Sequence, residues 1–404
     1  MENPKIRFKG FTKDWEQRKL GDVFEQTSNL VNPKEDEIEL WSLTVEDGLT
    51  KKSDRYNREF LVKKDDNFKE VRPGDIVYNP MNMTLGAVGY NGMAKSVAVS
   101  GYYTTMVAKE NYDTYYINTW LKSPQAIRLY RTYATGSLIE KQRVQFPTLS
   151  IIPVTFPKYE EQIKIGSYFH SIDNLITLHQ RKCEQTKKMK KYMLQKMFPQ
   201  NGAKVPEIRF DGFTYDWEQR KLGDVAEFSK GNGYSKDDLI ESGTPIILYG
   251  RLYTKYETII SEVDTYVEAK EGSVYSKGGE VIVPASGETA EDIARAATVD
   301  KSGILLGGDL NVVMPNKDIN PAFLAISISN GNSQRELSKK AQGKSVVHIH
   351  NEEIRNLVIP FPNKVEQNKI VAYFANLDHL ITLHQRKCDE LKKMKKYMLQ
   401  NMFI

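Results

Sequence analysis

Apolar residues recur in steps of three and four near the end of the chain. The positions with this spacing are Phe374, Leu377, Ile381, His384, Cys388 and Leu391. Such spacing is typical of a coiled-coil seam. The seam contains the string LITLHQRKC, which occurs at 175–183 and again at 380–388, and each copy leads into a shared KKMKKYMLQ. The pattern predicts two long basic helices of nearly the same sequence.

A second repeated string opens each half of the chain. IRFKGFTKDWEQRKLGDV at 6–23 returns as IRFDGFTYDWEQRKLGDV at 208–225. One string opens each half and a basic helix closes it, so the chain is predicted to be a tandem of two similar units. A proline-rich step and a Glu-Gln pair precede each helix, and the loop-like string PQNGAKVP at 199–206 joins the halves.

The segments between these repeats differ from each other and contain short strand-like runs. The runs lie at 75–78, 87–90, 96–99, 244–248, 280–283 and 310–313, and helical stretches lie at 115–130 and 321–340. We therefore expect an α+β fold, in which two mixed α/β domains are joined by two long antiparallel coiled-coil helices with an internal pseudo-two-fold. The expected domain boundaries are 1–157, 158–200, 201–362 and 363–404. A helix of about 30 residues would be about 45 Å long.

Composition limits the class of protein. A length of 404 residues is more than one domain usually needs, and the net charge of +5 is too small to imply nucleic acid by itself. We expect a cytoplasmic location, because no run is apolar enough for a membrane span or a leader. The two cysteines, Cys183 and Cys388, occupy matching positions, which favours reduced packing thiols. We expect no metal site, since the sequence contains no cluster of ligands.

Two features of the predicted helices have more than one interpretation. The lysine cluster at 187–191 is either a solvated face or a surface for phosphate or a protein partner. His179 and His384 fall on the apolar seam, where packing histidines are favoured over ligands. His348 and His350 alternate as on a strand, with no cysteine or acidic partner that would favour a metal.

The combination of repeats and motifs resembles the specificity subunit of type I restriction-modification systems. The resemblance rests on the duplicated helices, on DWEQRKLGDV, and on VRPGDIVY (71–78) and GGEVIV (278–283), and it covers essentially the whole chain. It implies that each variable domain reads one half of a split double-stranded DNA target. It also implies that the helices dock two copies of the methyltransferase subunit, to which restriction (helicase-nuclease) subunits are added, and that catalysis resides in those partners.

Residues that could read bases belong in the variable segments, because bases are distinguished by hydrogen-bond donors and acceptors. The candidates are Arg55, Arg58, Asn79, Asn82, Thr84, Tyr102 and Tyr103 in the first half and Arg251, Tyr253, Ser286, Glu288 and Asn311 in the second. Lys141, Arg143, Lys344 and Ser345 lie where each variable segment rejoins its helix, and we expect them to contact phosphates. Each single candidate also fits an ordinary surface or turn residue.

No catalytic motif or cofactor loop is found in the sequence. The string at 343–345 (GKS) ends like a phosphate-binding loop, but Ser338 stands where such a loop needs glycine. The string at 79–82 (NPMN) starts like an adenine methyltransferase element and departs from it at the third and fourth positions. Two other classes stay open: a basic coiled-coil adaptor without sequence-specific DNA binding, and an enzyme with an unrecognised site.

Overall fold

The computed structural model describes residues 3–46, 48–51, 67–136, 142–200, 202–343 and 346–404. The chain divides into two compact units. Unit 1 comprises Met1–Arg181 and His384–Ile404, and unit 2 comprises Lys182–Leu383. Both divisions fall inside long helices, so each unit contains helix segments from both halves of the sequence.

The first half of the chain forms the following elements: β1 (Glu16–Lys19), α1 (Leu20–Val23), β2 (Phe24–Thr27), β3 (Leu30–Val31), β4 (Trp41–Thr44), β5 (Gly48–Lys51), β6 (Phe68–Val71), β7 (Ile76–Tyr78), β8 (Val88–Tyr90), β9 (Val97–Ser100), β10 (Thr104–Ala108), α2 (Thr114–Leu121), α3 (Pro124–Tyr133), α4 (Phe146–Ser150), β11 (Pro153–Phe156) and α5 (Tyr159–Lys196).

The second half forms β12 (Glu218–Lys221), β13 (Ala226–Lys230), β14 (Leu239–Ile240), β15 (Thr244–Ile247), α6 (Arg251–Thr254), β16 (Ile259–Ile260), β17 (Tyr266–Val267), β18 (Tyr275–Lys277), β19 (Glu280–Pro284), β20 (Ser286–Gly287), α7 (Ala290–Ile293), β21 (Ala297–Val299), β22 (Ser302–Leu306), β23 (Leu310–Pro315), α8 (Pro321–Ile328), α9 (Gly331–Lys340), β24 (Val347–His348), α10 (Asn351–Arg355), β25 (Val358–Phe361) and α11 (Lys364–Asn401).

The central sheets of the two units have the same strand order although their sequences differ. Unit 1 contains the order β2-β10-β7-β8, and unit 2 contains β13-β23-β19-β21 with β16 added at the edge. The strands β7 and β19 are buried apolar runs at the middle of these sheets. Each unit adds sheets of its own, β3-β6-β9 and β4-β5 in unit 1 and β14-β17-β15-β22-β18 in unit 2. The mixed α+β fold predicted from sequence is confirmed.

Each helical stretch predicted in the variable segments is a pair of short helices. Asp113 and Asn320 cap α2 and α8 by accepting hydrogen bonds from backbone N–H groups of the first turn. The first pair breaks at Ser123-Pro124, where Ser123 caps the new helix and proline fits its first position. The second breaks at Gly331, whose φ of 64° is unsuited to continuing a helix.

The repeated opening strings form strands that pair with the end of each variable segment. β1 pairs antiparallel with β11, with Glu16 opposite Phe156. β12 pairs with β25 in the same register, with Glu218 opposite Phe361. The tryptophan just before each strand, Trp15 or Trp217, is buried. These strings therefore close each variable segment into one domain.

A buried ion pair joins each opening string to the start of a long helix. The Arg7 guanidinium donates to both carboxylate oxygens of Glu161, at 2.7 and 2.8 Å. Arg209 contacts Glu366 in the same bidentate way, also at 2.7 and 2.8 Å. The hydrogen bonding of each guanidinium to its carboxylate raises the pKa of the arginine. The glutamates are almost fully buried, so the charge of each carboxylate is compensated by its arginine and not by water.

The glutamine beside each glutamate ties the long helix to a variable segment. Gln162 accepts from the backbone N–H of Asp113 at 3.1 Å and donates to the Pro157 carbonyl. Gln367 accepts from the N–H of Asn320 at 2.7 Å and donates to the Pro362 carbonyl. The Glu-Gln pair thus makes equivalent contacts in both units.

The long helices pair antiparallel within each unit. In unit 1, Ile172 and Ile176 of α5 pack against Leu391 of α11, and the Nδ1 atoms of His179 and His384 lie 3.0 Å apart. Lys395 forms an ion pair with Asp173. The histidines therefore pack against each other in the seam, as the sequence predicted.

Unit 2 repeats this pairing with the remaining parts of the same helices. Lys190 pairs with Asp378, and the buried Cys183 thiol approaches the Ile381 carbonyl. Both cysteines are free, as expected. Each helix has 38 residues, more than the 30 expected. Neither Tyr159–Lys196 nor Lys364–Asn401 contains a proline, which would interrupt the helix.

The end of each long helix completes a core. Met402 and Phe403 enter the core of unit 1, where Phe403 stacks on Phe169 with ring centroids 5.8 Å apart. Met197 and Phe198 enter that of unit 2 in the same way. The repeated string KKMKKYMLQ thus leads into a pair of core residues. In the described part of the chain, no helix has the length and apolarity needed to cross a membrane.

The buried ion pair predicts an asymmetric response to substitution. Arg7→Ala leaves the Glu161 carboxylate buried without a partner and should lower the free energy of unfolding by about 3 kcal/mol. Glu161→Gln should cost less, about 1 kcal/mol, because the Gln oxygen still accepts from Arg7 and the arginine reaches water. Urea unfolding measures both. Arg18→Ala, which removes an exposed pair with Glu16, should change stability by less than about 0.5 kcal/mol. Equal losses for Arg7→Ala and Glu161→Gln would contradict this account.

Candidate nucleic-acid interface

Two separate candidate segments meet in each unit. In unit 1 the loop after β7 (79–82) accepts a hydrogen bond at Pro80 from the N–H of Val144, at 3.0 Å. In unit 2 the segment that starts at the last residue of β19 (284–288) accepts one at Ala285 from the N–H of Ile349, at 3.1 Å. We call 79–82 and 284–288 the strand-end loops. The residues predicted to read bases and those predicted to contact phosphates are thus neighbours.

The second segment, which we call the junction segment, is built alike in both units. It comprises 134–136 and 142–144 in unit 1 and 341–343 and 346–349 in unit 2. Thr135 and Arg143 exchange two backbone hydrogen bonds of 3.0 and 2.9 Å, and Gln342 and His348 exchange two of 3.1 and 2.7 Å. The following glycines, Gly136 and Gly343, have φ of 116° and 132°. The shared Ala-x-Gly string is the sequence signal that could have located this segment.

The candidates of unit 1 lie around one edge of the central sheet. Because Thr104 of β10 pairs with Tyr78 of β7, the turn before β10 lies at the same edge as the strand-end loop. That turn carries Tyr102, which is 86% exposed, and the half-buried Tyr103.

A side chain of the strand-end loop in unit 1, that of Asn79, holds the loop backbone. The Asn79 side chain accepts from the Met81 N–H at 3.0 Å, whereas Asn82 is exposed and Thr84 is buried. Asn82 is therefore the freer donor and acceptor of the two asparagines. Arg55, Arg58, Lys141, Lys344 and Ser345 lie outside the described residues.

In unit 2 the strand-end loop is tied to the junction segment by side chains. The Tyr253 hydroxyl donates to the Ser286 carbonyl at 2.8 Å, and burial raises the pKa of this tyrosine, so it stays a donor. The Ser286 hydroxyl lies 3.2 Å from Nδ1 of His348. Glu288 is exposed beside them. His348 was not among the candidates taken from sequence.

Two candidates of unit 2 are structural, which corrects the sequence prediction. Arg251 is 8% exposed, and its guanidinium donates to Asp264 at 2.7 Å and Glu257 at 2.9 Å. Asn311 is fully buried, and its side-chain amide donates to the Ile349 carbonyl at 2.8 Å. These side chains support the site and are not available to bases. Their residue types fitted base reading, but the sequence did not show their burial.

The lysine cluster of the helices has a divided role. Lys190 is engaged in the ion pair of the seam described above, and Lys187 pairs with Glu184 on the same helix at 3.1 Å. Lys188 and Lys191 are exposed. Lys190 is therefore used inside the fold, and contact of Lys188 and Lys191 with phosphate or a partner stays a prediction.

Comparison with known proteins gives the family that the sequence resembles. The model of the type I restriction modification DNA specificity domain matches residues 12–188 and 215–393. The chain therefore belongs to this family, as a specificity subunit with two target-recognition domains. Type I specificity subunits bind DNA and work with methyltransferase and restriction subunits.

Individual relatives agree with the family assignment. The MjaVIII specificity subunit of a type I restriction enzyme from Methanocaldococcus jannaschii is 24% identical over 86% of this chain and 83% of its own length. The crystal structure of a type I S subunit from M. genitalium has a TM-score of 0.62 at 14% identity, over 100% of this chain and 99% of the other. A chain from a study of type I R-M complex assembly has a TM-score of 0.52 at 15% identity, over 97% and 98%. Both structures share the fold.

The junction segment makes a prediction about Gly343. A Cβ there would lie 1.9 Å from the Val346 carbonyl oxygen, so Gly343→Ala should break the Gln342–His348 pairing. We expect exchange of the His348 amide hydrogen to accelerate at least about tenfold, with weaker DNA binding. Gly303→Ala is the control, because its φ of 83° is also positive but nothing lies within 4 Å of the added Cβ. Similar effects of the two substitutions would show that the close contact is unimportant.

Proposed function

We propose that this chain reads an asymmetric, bipartite double-stranded DNA target, with one target-recognition domain for each half-site. It docks two methyltransferase subunits and, through them, restriction subunits. The chain itself is non-catalytic, acts in the cytoplasm, and needs no cofactor or metal. Type I specificity subunits are generally non-catalytic, which supports this assignment.

One observation carries the proposal: the same scaffold holds different strand-end loops. The register of the central sheets makes Ile76 equivalent to Val281, since these residues lie opposite Met106 and Val313. Asn79, Pro80, Met81 and Asn82 are then equivalent to Pro284, Ala285, Ser286 and Gly287, and no position has the same residue. Different side chains at equivalent places would read different bases.

The residues proposed to contact DNA follow from this placement. Base contacts are assigned to Asn79, Asn82, Tyr102 and Tyr103 in unit 1 and to Tyr253, Ser286 and Glu288 in unit 2, with Arg55 and Arg58 kept from the sequence prediction. Lys141, Lys344 and Ser345 are assigned to phosphates, because they flank the junction segments in sequence. We propose domain boundaries at 157, 200 and 362, next to the ends of the long helices.

The long helices have the dimensions of a spacer. Each has 38 residues, which corresponds to about 57 Å at 1.5 Å per residue. One turn of B-DNA is about 34–36 Å long. Helices of this length are proposed to set the gap between the half-sites.

Exposed apolar residues on the helices support docking of two identical partners. Unit 1 exposes Leu175 and Leu178 of α5 and Met394 and Tyr397 of α11. Unit 2 exposes the equivalent Leu380, Leu383, Met189 and Tyr192, so each unit presents the same four side chains, all 41–58% exposed. Exposed apolar side chains that recur at equivalent positions suit contacts with a protein partner. We call these sets the two docking patches and propose that each binds one methyltransferase subunit.

Exchange of one variable segment tests the reading function. Residues 226–345 are replaced by the corresponding segment of a subunit with a different specificity, and methylated sites are mapped across a genome. One half of the methylated motif should change, and the other half should persist, because the scaffold and unit 1 are untouched. The unchanged chain is the control, and loss of both half-sites would argue against modular reading.

Substitution of one docking patch tests the stoichiometry. Tyr397→Glu puts a charge into the unit 1 patch and should weaken one methyltransferase site by about 100-fold. Native mass spectrometry of the complex should then show one methyltransferase subunit per chain. Tyr192→Glu should do the same through the other patch, and the double variant should bind neither. Gln385→Glu, an equal charge at an exposed polar position, should leave two subunits bound.

A further inference from the structure

Arg143 and His348 occupy the same place in the two units. Each exchanges paired backbone hydrogen bonds with the residue before a positive-φ glycine, Thr135 or Gln342. In each unit the N–H of the following residue, Val144 or Ile349, donates to the strand-end loop at Pro80 or Ala285. The sheet register and these bonds therefore make Arg143 equivalent to His348 and Pro80 equivalent to Ala285.

Both side chains are placed to act outside the fold. Arg143 is exposed, and within the described ranges its guanidinium has no hydrogen-bond acceptor or ion-pair partner. His348 is also exposed, and among the described residues the Ser286 hydroxyl, 3.2 Å from its Nδ1, is the one side-chain partner of its ring. The position equivalent to Ser286 in unit 1 is Met81, which cannot hold a side chain in this way and is itself 50% exposed. The two sites thus have one backbone and two different chemistries.

We propose that Arg143 and His348 are the equivalent specificity-determining residues of the two domains, each contacting the major-groove edge of a purine. Arg143 has the donor fork that matches O6 and N7 of guanine. When the Ser286 hydroxyl donates to Nδ1, Nε2 of His348 carries the proton and donates to a purine N7. This assignment rests on the proposed function. It replaces the phosphate contact expected for Arg143, because the residue lies beside the strand-end loop with the other base-reading candidates.

The difference in donor number has a consequence for the target. Arginine presents several donors in a fixed plane and is always charged, whereas histidine in this arrangement presents one donor. The Arg143 position should therefore accept guanine almost alone, while the His348 position accepts both purines. The asymmetry of the target then originates at one pair of equivalent residues.

The test measures sequence preference at every base with the complete chain in complex with its methyltransferase subunits. Methylation of a library with both half-sites randomised is sequenced for the unchanged chain, Arg143→Ala, Arg143→Lys and His348→Ala. Arg143→Ala should relax one base position of one half-site, with discrimination lowered about 10- to 100-fold. Arg143→Lys should restore it only in part, because lysine lacks the bidentate fork. His348→Ala should relax one position of the other half-site.

Matched controls separate the possible failures. Arg18→Ala removes an exposed arginine of unit 1 on β1, outside the strand-end loop and the junction segment, and should leave the motif unchanged. Uniform loss of methylation over all sequences, with a smaller salt dependence, would make Arg143 a phosphate contact and overturn the inference while the proposed function stands. An unchanged preference would overturn it equally. An unchanged chain with no bipartite motif would overturn both.

Discussion

The buried pairing of Arg7 with Glu161, and of Arg209 with Glu366, is the contact on which the rest of each unit depends. This pairing fixes the opening string to the first turn of a long helix. The next residue of that helix, Gln162 or Gln367, accepts a hydrogen bond from the residue that caps α2 or α8. A carboxylate so deeply buried tolerates one geometry. Both variable segments are therefore held in the same way, although their sequences differ.

This scaffold separates support from reading. The seam and the helix ends use repeated side chains such as Phe198 and Phe403, so both units have the same supporting core. The strand-end loops differ at every equivalent position, and each combines buried residues, such as Pro80 and Ala285, with exposed ones. The backbone hydrogen bonds from Val144 to Pro80 and from Ile349 to Ala285 join loop and junction segment in both units, and they do not depend on the loop side chains.

Much of the scaffold could be predicted from sequence, because repetition and heptad spacing are local signals. The seam residues from Phe374 to Leu391, the free cysteines and the strands β7 and β19 are as expected. The site was harder, because burial and hydrogen bonding depend on contacts between distant segments. Arg251 and Asn311 have the side chains of base readers but are used inside the fold. The sequence raised His348 only as a metal ligand, because its partner, Ser286, is distant in sequence. The repeated Ala-x-Gly string is the sequence feature that marks the junction segment in both units.

The central claim is that each domain reads its own half-site from the edge formed by the strand-end loop and junction segment. Photo-crosslinking of the DNA-bound complex tests it most directly, with a photoreactive residue at position 82 or, separately, at position 288, both exposed. The account predicts that position 82 labels bases of one half-site only and position 288 bases of the other only. Labelling of the same half-site from both positions, or of the spacer between the half-sites, would contradict it.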